Sequence, residues 1–258
     1  MDGFTTEIVD NHAKFDPRGS STYRQNGRPL SITYGTGSMT VSQTEAPFMQ
    51  NMQADGIFGL AYPSLSLSSA TPVFDNMMNG GLINQNLFSV YLSSNNQRGS
   101  AVTFGGVDTN HYSGSITWIP LSNELYCQIT VDSVSGNGQA VACNDGCQAI
   151  VDTGTSMIVG PQSDIDNINA WLGASSQNGE YIVNCSNIGQ MPDATFNING
   201  NQFTLPASAY VYQVQYSSCI TGFGATGGNM WTLSDVFLKQ YYSIYKRGRN
   251  MLGRAKAR

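Results

Sequence analysis

Ala149-Ile150-Val151-Asp152-Thr153-Gly154-Thr155-Ser156 is the stretch on which the reading of this chain turns. An apolar run delivers a carboxylate into a tight turn. Gly154 removes side-chain crowding there, and the flanking hydroxyls can hydrogen-bond the acid into one orientation. A bare Asp-Thr-Gly usually marks an ordinary hairpin turn, but the apolar lead and the Thr-Ser trailer single out Asp152 as a candidate catalytic acid. Peptide hydrolysis by acid–base means needs two close carboxylates, one acting as base toward water and the other donating to the carbonyl oxygen. No second Asp-Thr/Ser-Gly exists in the chain. Asp2-Gly3, Asp55-Gly56 and Asp145-Gly146 lack the hydroxyl residue between, and Asp108-Thr109-Asn110 lacks the glycine.

The surroundings of that loop are those of a β-rich protein. The 258 residues are 40% hydrophobic and 10% aromatic, enough for a real core, yet only 11% charged, against roughly 25% in typical soluble domains. With 28 glycines, strands and turns are favoured over charged surface helices. All 17 acidic residues precede the last twenty residues, and only Lys14, Arg18, Arg24, Arg28 and Arg98 accompany them; the last twenty add seven bases and no acid. An acidic body repels phosphates, so nucleic acid is excluded as a partner. Few bases also limit positive self-repulsion once carboxylates protonate, which suits exposure to acid. No apolar run reaches the ~18 residues of a membrane span, and the opening residues lack the basic and apolar regions of a signal peptide. Five cysteines read as two short-range pairs, Cys143 with Cys147 and Cys185 with Cys219, and a leftover Cys127. The rival reading, a four-cysteine zinc site, lacks the two CxxC knuckles; no metal or cofactor is expected.

Strand-like segments run over Leu30 to Tyr34, Phe88 to Leu92, Ala101 to Gly105, Ile116 to Pro120, Gln128 to Val134 and Ala194 to Ile198. Asn137-Gly138 and Asn199-Gly200 read as hairpin turns. Helices are expected over Pro72 to Met78, Ser163 to Leu172 (Ser163 as cap, with Asp164 and Asp166 near the N-terminus) and Val236 to Tyr242. A domain boundary falls between Pro120 and Leu125. Ile32-Thr33-Tyr34-Gly35-Thr36-Gly37-Ser38-Met39 has a strand ending in an aromatic before two spaced glycines, the pattern of a hairpin tip able to cover an extended peptide. Gly222-Phe223-Gly224-Ala225-Thr226-Gly227 satisfies GxGxxG, but no helix pattern follows it and it reads as a Gly-rich loop. His12 and His111 read as loop residues, and no Ser sits in a nucleophile-elbow context.

Taken together the residues resemble the pepsin and chymosin group of bilobal aspartic endopeptidases, over nearly the whole chain. Ser31 to Thr40 is similar to the flap, Asp55-Gly56-Ile57-Phe58-Gly59-Leu60-Ala61-Tyr62-Pro63 to the strand completing the first lobe, Gln148 to Gly160 to the second catalytic loop, and Trp231 to Tyr242 to the closing strand and helix. The resemblance implies a mainly β, bilobal fold with an incomplete first lobe over residues 1–122 and a nearly complete second lobe over 123–258. It implies a secreted, acid-active peptidase taking peptide or protein substrates, without membrane partner. By carry-over Asp152 is one catalytic Asp; Tyr34, Gly35, Thr36, Gly154, Thr155 and Ser156 bind substrate; and Cys143–Cys147 and Cys185–Cys219 are the second lobe's disulfides.

The chain also departs from the family. The first catalytic loop, the first-lobe disulfide and strands that pair with the flap are missing from it. Thr232-Leu233-Ser234-Asp235 stands where the family has Gly before the Asp, and Cys127 follows Tyr126 where relatives have Trp. With one catalytic Asp the monomer is expected to be inactive, and activity would need a homodimer. The alternatives are a non-catalytic peptide-binding homologue and an incomplete gene product.

Overall fold

A computed structural model describes residues 31–34, 37–40, 58–66, 70–94, 99–215 and 218–258, with backbone alone for the first two segments. The chain divides into two compact units, Met1–Asn76 and Met77–Arg258. In the first, β1 (Ser31–Tyr34) and β2 (Gly37–Thr40) pair antiparallel with Tyr34 opposite Gly37, the hairpin expected from the sequence. Its connection, Gly35-Thr36, and the start of the Asp55-Gly56-Ile57 motif lie outside the described residues. Helix α1 (Val73–Asn79) runs across the division.

The second unit is built almost wholly of strands. They are β3 (Phe88–Tyr91), β4 (Ala101–Phe104), β5 (Tyr112–Pro120), β6 (Gln128–Val131), β7 (Ser133–Gly136), β8 (Gln139–Ala142), β9 (Cys147–Val151) and β10 (Ile158–Pro161). Helix α2 (Gln162–Trp171) follows, then β11 (Ser175–Gln177), β12 (Glu180–Asn184), β13 (Ala194–Ile198) and β14 (Asn201–Leu205). After α3 (Ala207–Tyr210) come β15 (Val211–Gln215), β16 (Ser218–Thr221), β17 (Phe223–Thr226) and β18 (Trp231–Leu233). Helix α4 (Asp235–Leu238), β19 (Tyr241–Lys246) and β20 (Met251–Ala257) complete it. The sheets are β4-β3-β19-β20-β5, β17-β10-β18-β9-β6, β14-β13-β7-β8 and β11-β12-β16-β15. The boundary expected at 122/123 falls between β5 and β6, while the sheet containing β5 is completed by β19 and β20 from the chain's end.

Local chemistry explains most of the breaks. Asn137-Gly138 and Asn199-Gly200 both take left-handed backbone and make the two-residue turns of β7–β8 and β13–β14, as expected. Asn178-Gly179 does the same between β11 and β12, a turn that the sequence carries in the same dipeptide. The single strand expected over Gln128 to Val134 is two, because Asp132 leaves the ladder: its N–H donates to Asn197 O (2.7 Å) and its Oδ2 accepts from Gly200 N (2.9 Å). Ser163 does not cap α2. The helix starts one residue earlier behind Pro161, with Asp164 in its first turn accepting from Trp231 Nε1 (3.3 Å). The third helix is shorter than expected, since β19 claims the chain from Tyr241. Gly222 to Gly227 is no loop: Phe223–Thr226 is an edge strand parallel to β10, and no nucleotide-binding helix follows.

An aromatic column holds the layers together. The rings of Trp231 on β18, Phe196 on β13, Phe237 on α4 and Tyr241 on β19 meet in that order at 5.1 to 6.2 Å between centroids. Such contacts add roughly 0.5–1.5 kcal/mol each beyond the area they bury. Gly160 on β10 is obligatory for this packing, as a Cβ there would stand 2.8 Å from the Trp231 indole.

Both expected disulfides are present, Cys143–Cys147 and Cys185–Cys219, and Cys127 is free and buried. Their sequence separations are 4 and 34. Chain-entropy reasoning puts their contributions at about 2 and about 4 kcal/mol respectively. Replacing Cys185 and Cys219 together by Ala therefore lowers unfolding free energy about twice as much as the Cys143/Cys147 double replacement, as urea titration of the two variants will measure.

Candidate active site

The Asp152 loop is the crossing between β9 and β10, which are not neighbours. β18 lies between them, parallel to β9 with Leu233 opposite Val151 and antiparallel to β10 with Thr232 opposite Val159. The apolar side chains that mark the lead-in, Ala149 and Val151, are buried, so β9 is anchored and its end presents Asp152 at the sheet's margin. Inside the loop Gly154 N donates to Asp152 Oδ1 (2.9 Å) and Thr155 Oγ1 to Asp152 Oδ2 (2.7 Å). With one hydrogen bond on each oxygen the half-buried carboxylate cannot rotate. A Cβ at Gly154 would stand 3.2 Å from Asp152 Oδ1, a tight approach that a glycine avoids.

The segment after β18 straps this loop from beneath. Asp152 N donates to Leu233 O (3.1 Å), Asp235 N donates to Thr155 O (3.1 Å), and the hydroxyl of the fully buried Ser234 donates to Ser156 O (3.2 Å). Ser234 is accommodated here without strain. Its φ is −111°, open to any side chain, and its hydroxyl has a partner. Gly154 and Ser156 are exposed and Thr155 half-buried, on the loop with Asp152. The side chain of Tyr34 and both Gly35 and Thr36 lie outside the described residues.

Asp235 is a second carboxylate near Asp152 that the sequence did not single out as a site residue. Its carboxyl is held above the ordinary carboxylate range, first by burial and also by the charge of Asp152, with Lys239 opposing. Oδ1 has no hydrogen-bond partner. Burial, and after it the charge of Asp235, pushes the Tyr212 phenol up to about 12. No group of three His, Cys, Asp or Glu side chains among the described residues is placed to hold a metal ion. His111 packs flat on Tyr91 at 4.2 Å and lies 3.5 Å from Asp108.

A carboxyl raised in the folded state favours folding while protonated and loses that contribution as pH rises through its folded value. Asp235→Asn should therefore match the natural chain below about pH 3.8 and become the more stable of the two above it. The difference is at most about 1 kcal/mol for a half-buried site. Thermal melts from pH 3 to 7 check the sign; a variant less stable at pH 7 would contradict it.

Comparison with known proteins gives the family. The family of eukaryotic aspartyl proteases matches residues 3–257. The chain is 50% identical to pepsin A of Canis lupus familiaris over 97% of its own length and 72% of that protein. It is 47% identical to pepsin A of Bos taurus (97% and 75%) and 48% identical to pepsin II-2/3 of Oryctolagus cuniculus (95% and 70%). With its mainly β fold, its two disulfides and an Asp-Thr-Gly loop strapped beneath by β18, the chain belongs to the pepsin-like eukaryotic aspartyl protease family.

Proposed function

We propose that this chain supplies one half of an aspartic-peptidase dyad, with Asp152 as its catalytic carboxylate, and that on its own it hydrolyses peptides poorly or not at all. The observation that carries this reading is a single loop of the right chemistry. Asp152 is locked by Gly154 N and Thr155 Oγ1, and no second Asp-Thr/Ser-Gly occurs in the 258 residues. An ionised carboxylate can take a proton from water, but the tetrahedral intermediate also needs a proton delivered to the substrate's carbonyl oxygen. Two carboxylates sharing one proton do both. Asp235 does not replace the missing partner in this reading, because it opens α4 instead of an Asp-Thr/Ser-Gly turn.

A second copy of the chain is the source of the other carboxylate that we infer, which makes an active species a homodimer. Gly154, Thr155 and Ser156 border the reacting carboxylate; Tyr34, Gly35 and Thr36 are assigned to the substrate on resemblance, with residues 1–122 and 123–258 as the two lobes. Two disulfides support an oxidising, extracellular setting. The single Asp equally favours a second reading, a non-catalytic homologue that retains peptide affinity.

Acid-denatured globin at about pH 2–4, across the carboxylate range, is the test substrate. The natural chain is assayed with and without a statine-type inhibitor, beside Asp152→Asn and across protein concentration. Inhibitor-sensitive cleavage that rises steeply with concentration and falls by about 10⁴-fold in Asp152→Asn supports the dimer. Cleavage by a proven monomer that depends on Asp152 overturns the half-dyad. No cleavage by folded protein at any concentration, with measurable peptide affinity, establishes the second reading in its place.

A further inference from the structure

Among the asparagines of the chain, Asn184 alone is followed two positions on by Ser or Thr, in Asn184-Cys185-Ser186. It closes β12, where it pairs with Ser218 of β16. Val183 before it is buried and Asn184 is exposed, so the alternation of the strand turns its amide outward. The short 3-10 stretch Cys185–Gln190 then leads the chain away from the sheet. The hydrogen bonds of the Asn184 side chain all run to one atom: Oδ1 accepts from Ser186 N (3.0 Å) and from the Ser186 hydroxyl (2.9 Å), and Nδ2 makes none. A substituent on Nδ2 therefore leaves in place the carbonyl that accepts both bonds, and replaces an N–H that has no protein partner. Ser186, Asn187, Gly189 and Gln190 are also exposed and uncharged, so a bulky group here projects over polar surface. The bridged Cys185 is no obstacle, since its partner Cys219 is wholly buried and the bridge runs inward while the amide faces out.

We propose that Asn184 is an N-glycosylation site, its Nδ2 receiving an oligosaccharide from a polyprenyl-diphosphate carrier. In that transfer Nδ2 forms a bond to the anomeric carbon, and the bond from that carbon to the diphosphate oxygen breaks. The diphosphate leaves with the electron pair, and one amide proton passes to a base of the transferase. Cys219 follows Cys185 by 34 residues, so during synthesis the acceptor segment is extended before its bridge can close. The two disulfides belong to the same oxidising compartment in which such transfer occurs. On a chain only 11% charged, a glycan adds hydration that few surface charges supply. The site does not depend on the role of Asp152.

The test expresses the full chain in cultured mammalian cells behind an added signal peptide. An added Asn-Gly-Thr tail reports entry into the secretory pathway. Whole-cell protein is compared by electrophoresis before and after peptide-N-glycosidase F, so folded and unfolded chains both count. The natural sequence is expected to carry two glycans, its own and that of the tail. Asn184→Gln and Ser186→Ala are each expected to carry the tail glycan alone, whereas Ser186→Thr keeps the hydroxyl and carries two. A natural chain bearing only the tail glycan overturns the site, and so does a second glycan that persists in Asn184→Gln. Because transfer acts on the unfolded chain, a variant that fails to fold still gives the readout, and none of these outcomes depends on proteolysis.

Discussion

The Asp152 loop keeps its shape because a segment far along the chain closes onto it from below, Ser234 reaching Ser156 across a separation of 78 residues. Leu233 and Asp235 add backbone bonds at the loop's start and middle. None of these bonds can form until β18 has inserted between β9 and β10, and β18 is seated by Trp231, which in turn requires Gly160 and the aromatic column. The carboxylate's orientation is therefore a property of the whole second unit. Its two immediate hydrogen bonds are local, but the backbone they start from is held by the sheet.

Much of this could be read from the residues. The Asn-Gly pairs announced their turns because a left-handed backbone is cheap for those two residues and for few others. The loop was legible because an apolar strand followed by Asp-Thr-Gly-Thr-Ser states both the anchor and the hydrogen bonds. The disulfide pairs followed from spacing and family resemblance together. What escaped was non-local. Gly222 to Gly227 looks like a loop by composition, and only parallel pairing with β10 makes it a strand. Ser163 has a capping side chain, but the packing of Pro161 at the end of β10 sets where α2 begins.

Asp235 and Arg254 escaped for a related reason. Both are charged residues whose significance lies in what surrounds them in space, and a charge at the end of a strand or in a basic tail reads as solvated. The register of β20 against β19 and β5 puts Arg254 on a covered face together with Leu252, while Lys256 two residues on is exposed. One tail thus holds both a solvent-facing and a fully enclosed cation two residues apart, with the β20–β5 register shifting between them.

The odd thiol bears on how the protein comes apart. In the folded chain Cys127 is sealed and protonated, so it cannot attack either disulfide. Unfolding returns it to ordinary thiol acidity beside two bonds that any thiolate can exchange with. In acid the thiolate is absent and the chain can return by the way it left. Near neutrality each excursion risks a rearranged bridge, so the protein's durability there is governed by how seldom it opens.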